Sequence, residues 1–166
     1  AKKNNLKIVI KGGGNSFSDV GLYEKQLLLD TKNLNSIKDF DPTNGIIQVE
    51  SGVKIGKLLS KILPENWNVG GLSGSLTDTI GGMISGNTHG KDSWKYGNFG
   101  NNVESLKLLL VSGKIIEIDK NSNPDLFHGI ISGLGFLGII LEAKLKLKKI
   151  PSYVVHTKSS QILNFN

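Results

Sequence analysis

Short apolar segments separated by turn signals make up the first third of the chain. Residues 6–10 form a β-branched run, and further apolar segments cover residues 26–30, 36–40 and 46–50. Runs of this length between turn residues are typical of strands. Residues 41–45, with the sequence DPTNG, contain a proline and an Asn-Gly pair, which favour a turn. The last two segments therefore predict a hairpin or a meander.

The spacing of apolar residues changes to a helical period after this turn. Apolar residues recur at helical intervals within residues 53–63, up to Pro64, which predicts an amphipathic helix. The lysines that this spacing places on the solvated face are Lys54, Lys57 and Lys61. Asn123 and Pro124 are typical of a helix start, with asparagine as the cap and proline in the first turn. They predict a second helix over residues 125–132.

The second half of the chain also contains strand signals. Residues 103–111 and 114–119 flank a Ser-Gly pair and predict a hairpin. Residues 139–150 alternate apolar residues with lysines, which predicts a half-exposed strand. Residues 151–166 show no pattern that predicts an element.

Two glycine-rich segments interrupt these elements. Residues 70–100 contain many glycines and little apolar periodicity. Thr79 is a plausible helix start, so Gly81 and Gly82 would lie at a helix N-terminus, where unpaired N–H groups attract phosphate. Residues 11–16, with the sequence KGGGNS, follow the first predicted strand and could form a nest of amide donors. The alternatives are a surface loop without a ligand for the longer segment and a flexible turn for the shorter one.

A third glycine motif occupies residues 133–138, where GLGFLG matches the dinucleotide fingerprint GxGxxG. That fingerprint requires a preceding strand and a following helix. Here a predicted helix precedes the motif and a predicted strand follows it. The sequence context therefore argues against a Rossmann fold.

Composition narrows the classes of function. The chain of 166 residues has 20 basic and 14 acidic residues, a net charge of +6, and no arginine among its bases. Dedicated nucleic-acid binders usually use arginine for bidentate contacts, so we expect no nucleic-acid partner. The absence of cysteine excludes disulfides and fits a reducing compartment, so we expect a cytoplasmic protein. Since no apolar run reaches about 18 residues, we expect no transmembrane segment.

Three segments, taken in order, carry a family resemblance. GGGNSFSD near the start, GGLSGSLTDTIGGMISGNTHGKDSWKYGNFGNNV in the middle and GIISGLGFLGIILEAKLKL near the end resemble the FAD-binding domain of the vanillyl-alcohol oxidase and p-cresol methylhydroxylase (PCMH) flavoproteins. The resemblance covers about residues 6–150. THGK followed by YGNFGNNV is most similar to the decaprenylphosphoryl-ribose oxidase branch; sugar-lactone oxidases and glycolate-type dehydrogenases are other near relatives.

The resemblance implies an α+β fold with two small α/β subdomains and FAD between them, unlike a Rossmann fold. It also implies sites. The residues that would bind the cofactor are Lys11, Gly12, Gly13, Gly14, Asn15, Ser16, Phe17 and Asp19 in the first pyrophosphate loop, Gly74, Thr79, Ile80, Gly81 and Gly82 in the second loop, His89, Gly90, Lys91 and Asp92 beside the flavin, and Ile139 and Ile140 beside the adenine. Lys91 is the candidate catalytic residue, since a cation there could stabilise negative charge at the flavin; a solvated lysine is the alternative.

One departure from the family concerns the bond to the cofactor. Several members carry a histidine, directly after the first glycines, that bonds covalently to the flavin, and here that place is occupied by Asn15. His89 lies in the second motif, and in the most similar branch this histidine contacts the cofactor without a bond. The resemblance therefore implies FAD that is bound non-covalently. The alternative for His89 is a hydrogen-bonded structural residue.

The resemblance also implies a division of labour. We expect residues 1–150 to be the FAD-binding domain, without the early helix and strand of full-length relatives, and residues 151–166 to begin a substrate domain or form a tail. The expected function is that of an FAD-dependent oxidoreductase, in which the flavin takes a hydride from a carbinol of a sugar, a lipid-linked sugar or a related hydroxy acid. The alternative is a non-catalytic nucleotide-binding module.

Overall fold

A computed structural model describes residues 6–16 and 25–161 of the chain. In these ranges the strands are β1 (Ile8–Lys11), β2 (Leu27–Asp30), β3 (Ile37–Asp41), β4 (Ile46–Glu50), β5 (Trp67–Asn68), β6 (Val103–Leu109), β7 (Ile115–Asp119), β8 (Ile139–Lys146) and β9 (Lys148–Lys149). The α-helices are α1 (Ile55–Ile62), α2 (Ile80–Ser85), α3 (Ser93–Tyr96) and α4 (Pro124–Ile130), and short 3-10 turns cover Thr31–Asn33, Leu63–Glu65 and Phe99–Asn102.

The larger sheet has five antiparallel strands in the order β3-β4-β8-β6-β7. The predicted hairpins over residues 36–50 and 103–119 form its two halves, and β8 lies between them. A second sheet consists of β1 and β2, which pair in parallel. β2 therefore leaves the predicted meander and joins the first strand. This arrangement of helices and mainly antiparallel strands is α+β and differs from a Rossmann sheet.

The core lies where α1 and α2 cover the five-stranded sheet. Along β4, and along β8 from Ala143 onward, alternate residues point inward and are buried, as the period of two requires. α1 buries Ile55, Leu58 and Ile62, while the three lysines predicted to face solvent are exposed. Each fully buried aliphatic side chain contributes about 1.5–3 kcal/mol relative to an exposed one. Burial of one helical face therefore explains why this short helix is stable.

Two predicted boundaries are wrong in detail. The strand expected over residues 139–150 breaks at Leu147, because Leu147 is buried and its N–H donates to Gly45 O at 2.7 Å. β9 then pairs with β5 in a separate two-stranded sheet. The helix after Asn123 ends at Ile130, and the Asn123 side chain makes no capping hydrogen bond. Residues 151–161 are exposed and contain no helix or strand.

The helices in the described part of the chain are short. None of them combines the length and the apolar character that crossing a bilayer requires.

Candidate functional site

A cleft of about 500 Å³ opens between the sheet of β1 and β2 and the α2 side of the five-stranded sheet. This volume lies in the range of about 300–1,000 Å³ that is usual for ligand sites. Predicted cofactor residues that line the cleft are Lys11, Gly12, Gly13, Gly14, Asn15, Ser16, Thr79, Gly81, Gly82, His89 and Ile140. The structure thus brings residues from three distant segments of the sequence to one place.

Other predicted site residues lie outside the cleft wall. They are Gly74, Ile80, Gly90, Lys91, Asp92 and Ile139. Ile80 is fully buried in the core, and Lys91 is exposed. Phe17 and Asp19 belong to the predicted first loop but lie outside the described residues. A cofactor contact for these eight residues stays a prediction.

The glycine loop after β1 forms one wall of the cleft. A Cβ atom on Gly12 would lie 2.8 Å from Thr79 Oγ1, and one on Gly13 would lie 2.9 Å from Thr77 O. Only glycine allows the loop to approach residues 77–79 this closely. Among the described residues we find no acceptor for the backbone N–H groups of Gly12, Gly13 and Gly14. The loop therefore offers amide donors to an anionic ligand.

The N-terminus of α2 differs from the prediction. The N–H of Ile80 donates to Val53 O at 2.9 Å, the N–H of Gly81 donates to Ser51 O at 2.7 Å, and the N–H of Gly82 donates to Thr79 Oγ1 at 3.3 Å. The expectation that this helix end presents unpaired N–H groups is therefore wrong. The reason is tertiary packing: the first turn of α2 docks on the carbonyl groups between β4 and α1.

Asn15 joins the first loop to the second. Its Nδ2 donates to Thr77 Oγ1 at 3.0 Å and to the carboxylate of Asp78. The same carboxylate accepts a hydrogen bond from Ser73 Oγ. In the part of the chain that the structure describes, Lys11 forms no salt bridge. Asp78 is thus occupied by donors from the chain, and Lys11 places a positive charge on the cleft wall.

The segment around His89 is held by its neighbours. A Cβ atom on Gly90 would lie 1.7 Å from Leu72 O, so the two backbones touch here. The Gly90 N–H donates to Ser93 Oγ at 2.9 Å, and Asp92 Oδ2 accepts from the Gly71 N–H at 3.3 Å. These contacts give Gly90 and Asp92 positioning roles that keep His89 at the cleft wall.

The strand β2 ends beside the first loop. The Lys32 N–H lies 2.9 Å from Asp30 Oδ1, and this hydrogen bond holds the pKa of the exposed Asp30 carboxyl below its usual range. Positive charges on Lys32 and Lys11 act in the same direction. The same hydrogen bond caps the 3-10 turn Thr31–Asn33, which carries Thr31 into the cleft wall.

Several residues of the cleft wall were not among the predicted site residues. No spacing pattern marked them, and they are Thr31, Ser51, Ser73, Asp78 and Thr88. Their positions depend on tertiary contacts, such as the hydrogen bond from Thr31 Oγ1 to Lys11 O at 3.1 Å.

The GLGFLG motif also contributes to the wall, although its context excludes the dinucleotide fingerprint. Leu134, Gly135 and Gly138 line the cleft from the connection between α4 and β8. The signals for this segment were its glycine density and its place in the third stretch that carries the family resemblance.

Comparisons with known proteins agree with this geometry. The family described as FAD binding domain matches residues 1–119 of the chain. Decaprenylphosphoryl-beta-D-ribose oxidase from Mycolicibacterium smegmatis is 31% identical over 148 residues, covering 89% of this chain and 32% of that protein. D-arabinono-1,4-lactone oxidase from Yarrowia lipolytica is 30% identical over 155 residues, covering 90% and 28%.

A solved structure is also similar to this chain. The carbohydrate oxidase from Microdochium nivale, crystallised with a substrate analogue, superposes with a TM-score of 0.81 at 26% identity, over 89% of this chain and 32% of that one. This chain thus spans about a third of the length of the proteins it matches. The expected α+β fold is confirmed. Because the family match covers most of the sequence, the chain belongs to the FAD binding domain family.

Proposed function

We propose that this chain binds FAD non-covalently in the cleft and serves as the cofactor domain of an FAD-dependent oxidoreductase. The observation that carries the proposal is the glycine loop after β1, whose amide donors face no acceptor in the described ranges. Family membership supplies the identity of the ligand. The residues of the cleft suit an anionic dinucleotide, which this chain would hold without arginine.

The residues of the cleft fit such a cofactor. Gly12 and Gly13 let the loop pack against residues 77–79, where a Cβ atom would collide, and Lys11 adds a positive charge beside them. These groups would hold the diphosphate. Ile140 and Leu134 give the wall an apolar part, which suits a ring system. His89 would lie at the flavin and hydrogen-bond it.

The proposed reaction is oxidation of a carbinol in a sugar, a lipid-linked sugar or a related hydroxy acid. When bound, FAD supplies hydride acceptance, and the protein supplies position and electrostatics. The names of the relatives support this substrate class: one is an oxidase of decaprenylphosphoryl-beta-D-ribose, one of D-arabinono-1,4-lactone and one of a carbohydrate. Within this chain, the loop after β1 would bind the diphosphate, and the segment around His89 would orient the flavin.

The purified 166-residue chain tests the cofactor assignment. We expect yellow protein, or colourless protein that becomes yellow on addition of FAD, with a flavin spectrum that denaturation releases. Protein that takes up no FAD contradicts the proposal. Two results together would favour the non-catalytic nucleotide-binding module. The chain would bind ADP and FAD with equal affinity, and no sugar would reduce the FAD bound to the whole protein.

The non-covalent linkage gives a first prediction. Asn15 stands at the place of the family's flavin-bonding histidine, and its amide nitrogen, unlike an imidazole, is a poor nucleophile that already donates to Thr77 and Asp78. Acid precipitation of the FAD-loaded protein should therefore leave all flavin in the supernatant. In-gel fluorescence of the denatured chain measures the same property. Flavin fluorescence that migrates with the protein band refutes the linkage.

A second prediction separates His89 from Lys91. His89 lines the cleft, so His89→Ala should weaken FAD binding several-fold through loss of one hydrogen bond. If Lys91 faces the flavin, Lys91→Ala should lower the reduction potential, because a cation stabilises the negative charge of the reduced ring. About 30 mV corresponds to about 1.4 kcal/mol for a two-electron couple. Potentiometric titration of both variants shows whether Lys91 faces the flavin. Lys95→Ala, which replaces a lysine of α3, is the control. A potential unchanged in Lys91→Ala removes Lys91 from the site.

A further inference from the structure

Ser51 occupies a fixed position on the cleft wall, between β4 and α1. Its N–H donates to Leu141 O at 2.9 Å, and its carbonyl oxygen accepts from the Gly81 N–H at 2.7 Å. The residue therefore connects β4 with β8 and α2. Its side chain is 2% exposed and belongs to the residues that line the cleft. Backbone contacts thus define where the hydroxyl lies.

Within residues 6–16 and 25–161, the Ser51 hydroxyl has no hydrogen-bond partner. Among the described residues, the buried polar side chains are those of Thr31, Ser51, Thr79 and Asn102. Thr31 donates to Lys11 O, Thr79 accepts from the Gly82 N–H, and Asn102 bonds the backbone of residues 70 and 99. Within this set Ser51 Oγ is the exception. Buried hydroxyl groups almost always have partners, so an unpartnered hydroxyl on the cleft wall is available to a ligand atom.

The surroundings of Ser51 identify the part of the cofactor. The Ser51 Cβ lies 2.9 Å from the position that a Cβ on Gly81 would take, so Ser51 packs against the first turn of α2. The glycine loop touches the same turn, because a Cβ on Gly12 would lie 2.8 Å from Thr79 Oγ1 and 3.8 Å from Gly82 Cα. The orphan hydroxyl and the loop amides therefore belong to one region of the cleft.

We propose that the Ser51 hydroxyl donates a hydrogen bond to a phosphate oxygen of the bound dinucleotide. This inference rests on the proposed function and adds a donor that no glycine motif contains. The diphosphate is rich in acceptors, and in a protein without arginine it is held by amides, Lys11 and hydroxyl groups. Ser51 is thus a side-chain contact to the cofactor that lies outside both predicted phosphate loops.

Two measurements on Ser51→Ala distinguish a ligand contact from a structural role. FAD affinity should fall about tenfold, which corresponds to about 1.4 kcal/mol and fits a hydrogen bond to a charged group. The Tm of the FAD-free chain should stay the same or rise, because the variant removes a buried hydroxyl that has no partner there. Ser51→Cys keeps the size of the side chain with a weak donor, and should show the same loss of affinity.

Phosphorus NMR of FAD-saturated protein reports on the contact itself. One diphosphate resonance should shift in Ser51→Ala. It should not shift in Ser60→Ala, the control, since Ser60 lies on the exposed face of α1 and its hydroxyl bonds Lys57 O. Unchanged affinity or unchanged resonances in Ser51→Ala and Ser51→Cys overturn the inference. So does a lower Tm of the FAD-free variants with normal FAD affinity.

The failure of this inference can be told from failure of the proposed function. A parent chain that binds no FAD overturns the proposed function and this inference with it. A parent that binds FAD, together with Ser51 variants that bind it equally well, overturns the inference alone.

Discussion

Gly13→Val is expected to lower FAD affinity about 100-fold or more while the five-stranded sheet remains folded. A Cβ atom at this position would lie 2.9 Å from Thr77 O, a backbone atom that cannot rotate away. The loop must then move off residues 77–79, and its N–H groups lose their common direction. Two or three charge-assisted hydrogen bonds at about 1.5–3 kcal/mol each account for a loss of this size.

Ser60→Val is the control for this variant. Ser60 is exposed on α1 and is not among the residues that line the cleft, so we expect nearly parental FAD affinity. Fluorescence titration gives the affinities, and far-UV circular dichroism checks the fold. If Gly13→Val is folded and binds FAD as well as Ser60→Val does, the loop after β1 is a turn and does not bind the diphosphate.

Gly81→Val should behave differently, although both positions lie in glycine-rich segments that predict a phosphate site. A Cβ atom on Gly81 would lie 2.9 Å from the Ser51 Cβ and 3.2 Å from Ser51 O. The Gly81 N–H is also already bonded inside the chain. The substitution therefore separates α2 from β4, and we expect lower stability together with weaker binding. Gly13 thus reports on the ligand, whereas Gly81 reports on packing.

Local features of the sequence predicted most elements correctly. The turn residues at 41–45 and the Ser-Gly pair at 112–113 specify hairpins, because a short turn brings adjacent strands together without help from elsewhere. The apolar spacing in residues 53–63 predicted both α1 and its exposed lysines. Thr79 caps α2 as expected. Each of these signals lies within a few residues of the structure that it determines.

Features that depend on distant partners could not be predicted in this way. β2 pairs in parallel with β1, from which a long connection separates it in the sequence. The apolar pattern of β2 fits either sheet, so it does not specify the partner strand. The N–H groups at the start of α2 find acceptors at Val53 and Ser51, far away in sequence. The same holds for Asn102, whose buried amide bonds Gly70 and carries no local signal.

The candidate site was predicted where motifs could be matched. Family resemblance placed the loop after β1, Thr79 and His89 at one site, and the cleft unites them. It could not show that Gly90 acts through backbone contact, since closeness of Gly90 to Leu72 is a property of the folded chain. Motif matching identifies positions, whereas their physical roles depend on which atoms surround them.

Gly90→Ala should lower both the stability of the protein and its affinity for FAD. The added Cβ would lie 1.7 Å from Leu72 O and 2.7 Å from Leu72 C, distances that no rotation of a methyl group can relieve. The backbone must separate, which strains the hydrogen bond from Gly71 N–H to Asp92 and moves His89 from the cleft wall. We expect the free energy of unfolding to fall by about 2–4 kcal/mol, as for other severe steric substitutions.

Chemical denaturation of the FAD-free chain and FAD titration test this expectation side by side. Gly74→Ala serves as the control for the unfolding measurement, because its new methyl group enters open space in the FAD-free chain at a backbone conformation that alanine accepts. Such a substitution leaves stability unchanged or raises it by about 0.4–1 kcal/mol through lower entropy of the unfolded chain. Gly90→Ala should also weaken FAD binding about tenfold, because His89 is the residue directly before it. Equal unfolding curves for the two variants would show that the contact between Gly90 and Leu72 does not fix the part of the cleft wall that carries His89.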